Sequence, residues 1–266
     1  MSQIETKCSE HDLKADSIYN MDEKGFMIGQ TNKQRRIIPV AHIQREQDKP
    51  QACIDGSREW VTLVACICAD GSVVPPSLIY KGSGGRVNAN WATDADPTTQ
   101  FYLSSSKKGW TNDSVGFDWL VQVFDPSTKK LKEDGSIRHR LLIVDGHSSH
   151  VNHKFLQQCD KLNIFVCVLP PHSTHRLQPL DVGLFSPLST AYTTKQTEFT
   201  IGCENQIQMT KSTFFLIFQQ AWKAAVTENN VRSAFQKSGI MPHNRAIVMD
   251  KVFTMPTKKT HDNPKG

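Results

Sequence analysis

Short apolar runs set off by polar punctuation dominate the first two thirds of the chain. Trp60 to Cys68 is a nine-residue apolar run, Asp70-Gly71 marks a tight turn, and Val73 to Tyr80 returns. With the short run Ser17 to Met21 upstream, this predicts a meander of antiparallel strands. Asp113 to Phe124 places Val115, Phe117, Leu120, Val121 and Phe124 near the helical period, with Asn112 or Asp113 as cap. Leu141 to Val144 is a continuous apolar run ending in Asp145, followed by a capped helix near Asn152 to Leu162 and a second run, Ile164 to Leu169, stopped by Pro170-Pro171. Strand, helix and strand at that spacing form a βαβ unit, whose strands are parallel and buried on both faces. Beyond Asp181 the pattern turns helical, clearest over Phe214 to Val226 and over Val231 to Ser238, which Gly239 ends. Residues 125–138 read as a polar surface loop, and the tail from Met255 as loose. The predicted fold class is α/β, a mixed sheet in which an antiparallel three-strand meander is followed by parallel strands and flanked by helices.

Composition narrows the function classes. The chain has 266 residues, 38% hydrophobic and 21% charged, with 15 Gly and 13 Pro, so disordered, collagen-like and coiled-coil classes fit poorly. Lys and Arg number 31 against 26 Asp and Glu, a net charge of +5 that permits a polyanionic partner without demanding one. The seven cysteines are scattered, several within apolar runs, and no CxxC pair exists, which is the pattern of reduced, buried thiols. No apolar stretch approaches the roughly 18 to 20 residues of a membrane span, and the N-terminus lacks an apolar signal core. The expectation is a soluble, non-secreted protein with no membrane partner.

Three acids carry the candidate chemistry: Asp22 in YNMDEKGF, Asp145 in LLIVDGHSSH and Asp181 in LQPLDVGLF. An Asp just past the last apolar residue of a buried strand is held at the carboxyl edge of the sheet, where open α/β sheets place their sites. A single such Asp is commonly a cap or turn residue. Three converging carboxylates would repel one another and need a hard divalent cation, Mg²⁺ or Mn²⁺. Two such ions about 4 Å apart can activate water or a 3′-hydroxyl and stabilise the leaving oxygen at a phosphodiester.

These segments, with LPPHSTHRLQPLDVGLFSPL around Asp181 and AFQKSGIMPHN near the end, resemble the DDE transposase/integrase superfamily, and within it the pogo-like branch of the Tc1/mariner group found in fungal genomes. Thirty-five residues separate Asp145 from Asp181, within the range of that group. The resemblance covers about residues 17 to 245. It implies a ribonuclease H-like fold and a catalytic domain over 17–245, between a leader (1–16) and a loose tail (246–266). It also implies Asp22, Asp145 and Asp181 as catalytic residues and ligands of two Mg²⁺ or Mn²⁺ ions, DNA as partner, action in the nucleus, and DNA cleavage followed by strand transfer. His147, His150 and His175 are the auxiliary residues it suggests, bracing Asp145 and the loop before Asp181 through hydrogen bonds. Members of the branch carry helix-turn-helix modules ahead of the catalytic domain, and Asp22 lies 21 residues from Met1. The expectation is a truncated copy, a chain served by a homodimer or a DNA-recognition partner, or an adopted domain. The competing reading is a catalytically inactive or domesticated DNA- or protein-binding module; a hydrolase of RNA:DNA hybrids is a third, since the fold hosts it.

Neighbouring residues admit blander readings. Glu23 follows Asp22, so on a strand it points to the other face. The histidines at 147, 150, 153, 172 and 175, with Cys159, could imitate a zinc site, but no paired cysteines accompany them. Ser148 and Ser149 lack a G-x-S-x-G elbow, and Gly82-Ser83-Gly84-Gly85 lacks the Lys-Ser/Thr of a P-loop. Trp60 and Trp91 could stack on bases, although core or loop-anchoring roles are commoner. Basic clusters occur at Lys107 and Lys108 and at Lys129, Lys130 and Lys132, but Lys33, Arg35 and Arg36, soonest after Asp22, are the DNA-binding candidates.

Overall fold

The computed structural model describes residues 2–28, 59–82, 87–92, 96–146, 152–170, 173–202 and 209–253. Six strands, β1 (Ile18–Met27), β2 (Trp60–Cys68), β3 (Val73–Lys81), β4 (Tyr102–Ser106), β5 (Arg140–Val144) and β6 (Ile164–Val168), form one sheet in the order β4-β3-β2-β1-β5-β6. Pairing is antiparallel for β1/β2 and β2/β3, and parallel for β3/β4, β1/β5 and β5/β6. The expected meander followed by parallel strands is therefore present, as a mixed sheet.

β2 is buried along its length after Trp60 because both faces of the sheet are covered. Its odd-numbered residues from Val61 to Ile67 enter one hydrophobic core and Val64, Cys66 and Cys68 the other. The Val, Leu and Ile side chains among these contribute about 1.5–3 kcal/mol each when fully buried. Against the face of Val64 lie the helical segments α2 (Asp113–Trp119), α3 (Asp125–Thr128) and α4 (His153–Lys161), through Trp119, Phe124, Phe155 and Cys159. Against the other lie α1 (Ser2–His11), α5 (Thr174–Leu177), α6 (Phe185–Gly202), α7 (Lys211–Ala225), α8 (Glu228–Ser238) and α9 (Arg245–Phe253). The ring of Phe26 on β1 meets Tyr192 of α6 and Phe218 of α7 edge-on, with centroids 5.0 and 5.4 Å away.

Three elements depart from the pattern-based expectation. β1 continues to Met27, so Asp22 lies within the strand and not just beyond it; the pairing with β2 carries on to Met27 opposite Trp60. β4 was hidden because YLSSS is polar and only half-buried at its start, as suits an edge strand. The helix predicted to end at Phe124 passes through a widened π turn over Leu120–Phe124 and ends at Thr128, claiming the start of the presumed loop. At the amino end of β5 the buried Arg140 guanidinium donates to Asp125 Oδ1 and to Leu162 O, each at 2.7 Å, and to Thr128 Oγ1 at 2.8 Å, tying that helical end to the sheet. Of the seven cysteines, those described (Cys8, Cys66, Cys68, Cys159 and Cys167) are free thiols.

Candidate active site at the carboxyl edge of the sheet

Strand register brings the first two acids together. Ile18, Tyr19 and Asn20 pair in parallel with Leu141, Leu142 and Ile143. The last registered pair, Asn20 with Ile143, stands two residues before Asp22 on one chain segment and two before Asp145 on the other. The pleat puts both on one face: Ile18 and Phe26 of β1, and Leu141 and Ile143 of β5, belong to the core under α6 and α7, and Asp22 and Asp145 continue these two alternations. Glu23 consequently points to the other face, as expected from its position. Its backbone N–H donates to Asp22 Oδ1 at 2.7 Å.

Asp181 reaches the same place on a helix. A helical turn begins after Gln178, whose carbonyl accepts from Val182 N–H at 2.9 Å, and runs as a π turn over Leu180–Leu184 into α6. Pro179 opens it, where the missing N–H costs nothing. The N–H of Leu180 is one of the donors that a helix start leaves without an internal partner. Asn20 Oδ1, on β1, accepts it at 3.0 Å. Asn20 is fully buried, and its Nδ2 donates to Ile143 O on β5 at 3.1 Å. Further support comes from Gly183: a Cβ there would lie 2.5 Å from Ala234 Cβ, so the turn carrying Asp181 sits directly against α8.

Asp145, Lys24 and His175 all lie within electrostatic reach of Asp181. Burial lifts the Asp181 carboxyl above its ordinary value; Lys24 opposes the rise, Asp145 adds to it, and His175 opposes it. Lys24, two residues past Asp22 on the same face, is half-buried with its Nζ 5.2 Å from the Phe185 ring. His175 is exposed, and its Nε2 accepts from Arg176 Nε at 3.0 Å. Among the described residues, no three His, Cys, Asp or Glu side chains are gathered tightly enough to hold one ion. Gln178 is fully buried, and neither end of its amide has a hydrogen-bond partner among the described residues.

Other candidates sort by place. His147 and His150, like Ser148, Ser149 and His172, lie outside the described residues, as do Lys33, Arg35 and Arg36. Lys107 and Lys108 are exposed in the turn after β4, on the same edge as the acids because β4 runs parallel to β1. That turn is anchored by Thr62 Oγ1 donating to Gly109 O and Ser106 Oγ donating to Trp110 O, both at 2.7 Å. Trp60 packs on Trp110 with centroids 5.4 Å apart. Trp91 packs on Tyr80 and is a loop anchor. Lys130 pairs with Asp16 ahead of the amino end of β1, at the edge opposite the acids. Asn20 and Lys24 were missed in the sequence, although both stand two residues from Asp22 and so share its face of the strand.

A family model described as DDE superfamily endonuclease matches residues 57–235. The chain belongs to that family. Among curated relatives, a Cochliobolus lunatus protein named MFS-type transporter clz9 is 34% identical over 244 residues, covering 92% of this chain and 25% of that protein. The human "Pogo transposable element with ZNF domain" is 24% identical over 123 residues, covering 46% of this chain and 8% of that protein. This DDE chain thus spans about a quarter or less of the length of these relatives. The transporter name belongs to that larger protein; no helix among the described residues here is long and apolar enough to cross a membrane. A solved structure of the catalytic domain of Mos1 mariner transposase aligns with TM-score 0.41 and 12% identity over 90% of this chain and 91% of that one.

Proposed function

We propose that this DDE domain performs divalent-metal-dependent phosphodiester cleavage and strand transfer on DNA, with Asp22, Asp145 and Asp181 as the ligands of two Mg²⁺ or Mn²⁺ ions. One observation supports the reading: the β1/β5 ladder ends two residues short of both Asp22 and Asp145, and the turn carrying Asp181 is hydrogen-bonded to that ladder end through Asn20. Hard carboxylate oxygens fit a hard divalent cation, and burial, with Asp145 adding to it, raises the Asp181 carboxyl in the absence of one. When bound, such a pair of ions supplies Lewis-acid activation of the attacking and leaving oxygens of an in-line displacement. The chain's own contribution is placement. The three acids stand on two strands and a helix start, Lys24 offers a cation to the DNA phosphate from the same face, and Lys107 and Lys108 extend that charge along the edge. Lys33, Arg35 and Arg36 join them in this proposal on the strength of their position in the sequence. Action on chromosomal DNA implies a nuclear location.

The test is cutting of linear duplex DNA by the purified chain in Mg²⁺ or Mn²⁺. Asp145→Asn is expected to abolish it, and a variant that cuts as well as the parent overturns the reading. A second reading is a domesticated module that binds DNA or protein without catalysis. Metal titration separates the two. Heat released with the parent but not with Asp22→Asn or Asp181→Asn supports the enzyme, whereas no heat in any of them supports the module.

A further inference from the structure

We infer that Asn20 is the positioning residue that fixes the mutual spacing of the three acids, and through it the affinity of the site for its divalent ions; this rests on the metal-dependent reading above. Its side chain, fully buried, touches all three acid-bearing elements. Nδ2 donates to Ile143 O on β5 at 3.1 Å, two residues before Asp145, and more distantly, at 3.5 Å, to Met21 O, next to Asp22. Oδ1 accepts the N–H of Leu180 at 3.0 Å, next to Asp181.

The chemistry fixes the orientation of the amide. A flip would set NH₂ against the Leu180 N–H and the oxygen against the Ile143 carbonyl, so only one arrangement pairs donors with acceptors. The site also demands an amide. The β1/β5 ladder has its last registered pair at Asn20 and Ile143, so the Asn20 side chain joins the strands where backbone pairing stops and the acids begin. At the same time it satisfies a helix-start donor that would otherwise be buried without a partner. A carboxylate could accept from Leu180 but could not donate to Ile143, and it would add a fourth negative charge to the face. A leucine would fill the volume and make none of the bonds.

The experiment compares the full chain with Asn20→Leu, close in shape, and Asn20→Ser, smaller and able to hydrogen-bond. Three quantities are read: Mn²⁺ affinity by electron paramagnetic resonance titration, hydrogen exchange of the Leu180 amide, and the thermal midpoint. Asn20→Leu is expected to weaken Mn²⁺ binding by about 10–100-fold, as loss of a group that orients metal ligands does, and to speed exchange at Leu180. Saturating Mn²⁺ should recover part of the cleavage rate, with KM for DNA unchanged. Asn20→Ser is expected to fall between the parent and Asn20→Leu; it serves as the working variant if the leucine protein fails to fold. A lowered midpoint with unchanged Mn²⁺ affinity would make Asn20 a merely structural residue and overturn the inference. Unchanged exchange at Leu180 would overturn it without reference to metal. A parent chain that binds no Mn²⁺ removes the metal-dependent reading itself, and the inference with it.

Discussion

Burial lifts the Asp181 carboxyl above its ordinary value, and the charge of Asp145 adds to that rise. At neutral pH this opposes folding, because the acid is held in a form its surroundings resist. Asp181→Asn keeps the shape and removes the charge. It is expected to raise the thermal midpoint of the metal-free protein, to lack the further rise with Mn²⁺ expected of the parent, and to reduce DNA cutting by about 10²–10³-fold, the scale seen when a charge-stabilising group is removed from an active site. Melting with and without Mn²⁺ checks all but the last, and a metal-free variant that melts below the parent contradicts the repulsion.

Lys24 offsets the same repulsion from the opposite sign. Lys24→Gln leaves the acids less compensated, so Mn²⁺ should bind more tightly by roughly two- to fivefold, the equivalent of about 0.4–1 kcal/mol for a partly exposed charge pair. DNA affinity should move the other way, with the salt dependence of binding falling by about one phosphate contact. Opposite signs in the two titrations distinguish a phosphate-binding cation from a residue that only supports the fold, whose loss would weaken both.

Much of this arrangement could be read from the sequence because buried strands announce themselves. Trp60–Cys68 matches its predicted limits, and the segment from Arg140 to Val168 is the expected βαβ unit, since nearly unbroken apolar runs leave few alternatives. Polar pairing was the hidden part. β4 is built from Tyr102, Leu103 and three serines, and an edge strand needs no apolar alternation. Asn20 was passed over for a related reason: nothing local marks an asparagine whose partners, Ile143 and Leu180, lie more than a hundred residues away. The candidate acids come from a whole motif, not from spacing alone, and the pairing of β1 with β5, which ends two residues short of Asp22 and Asp145, has no local mark in the sequence.

Gly183 offers a test of how tightly the Asp181 turn is seated. A Cβ there would fall 2.5 Å from Ala234 Cβ and 2.7 Å from its Cα. Gly183→Ala must therefore push the π turn off α8, at about 1–3 kcal/mol of overpacking strain, a fall in thermal midpoint of roughly 2–4 °C per kcal/mol for a chain near this size. Asp181 stands two residues away, so cutting should fall further than the folded fraction does. Ala234→Gly added to the same protein opens part of the space and should restore part of both; a double variant no better than Gly183→Ala would place the cause elsewhere.

Away from the site, Asp16 sets part of the acid limb of stability. Burial raises its carboxyl, but hydrogen bonds from Lys130 and Arg138, at 3.0 and 3.1 Å, outweigh burial and hold it below its ordinary value. A carboxyl lowered in the folded state stabilises the fold above its unfolded value, about pH 4, and that contribution is lost as pH falls through the lowered folded value. Asp181, raised in the folded state, has the reverse slope, so the two acids partly mask each other in the parent protein. Asp16→Asn should consequently be less stable than the parent at pH 7, and the gap should close as the pH drops below about 4. Urea midpoints measured for both proteins from pH 7 down to pH 3 decide it. A gap that stays constant over that range would mean that the fold around Asp16 depends on its shape and not on its charge.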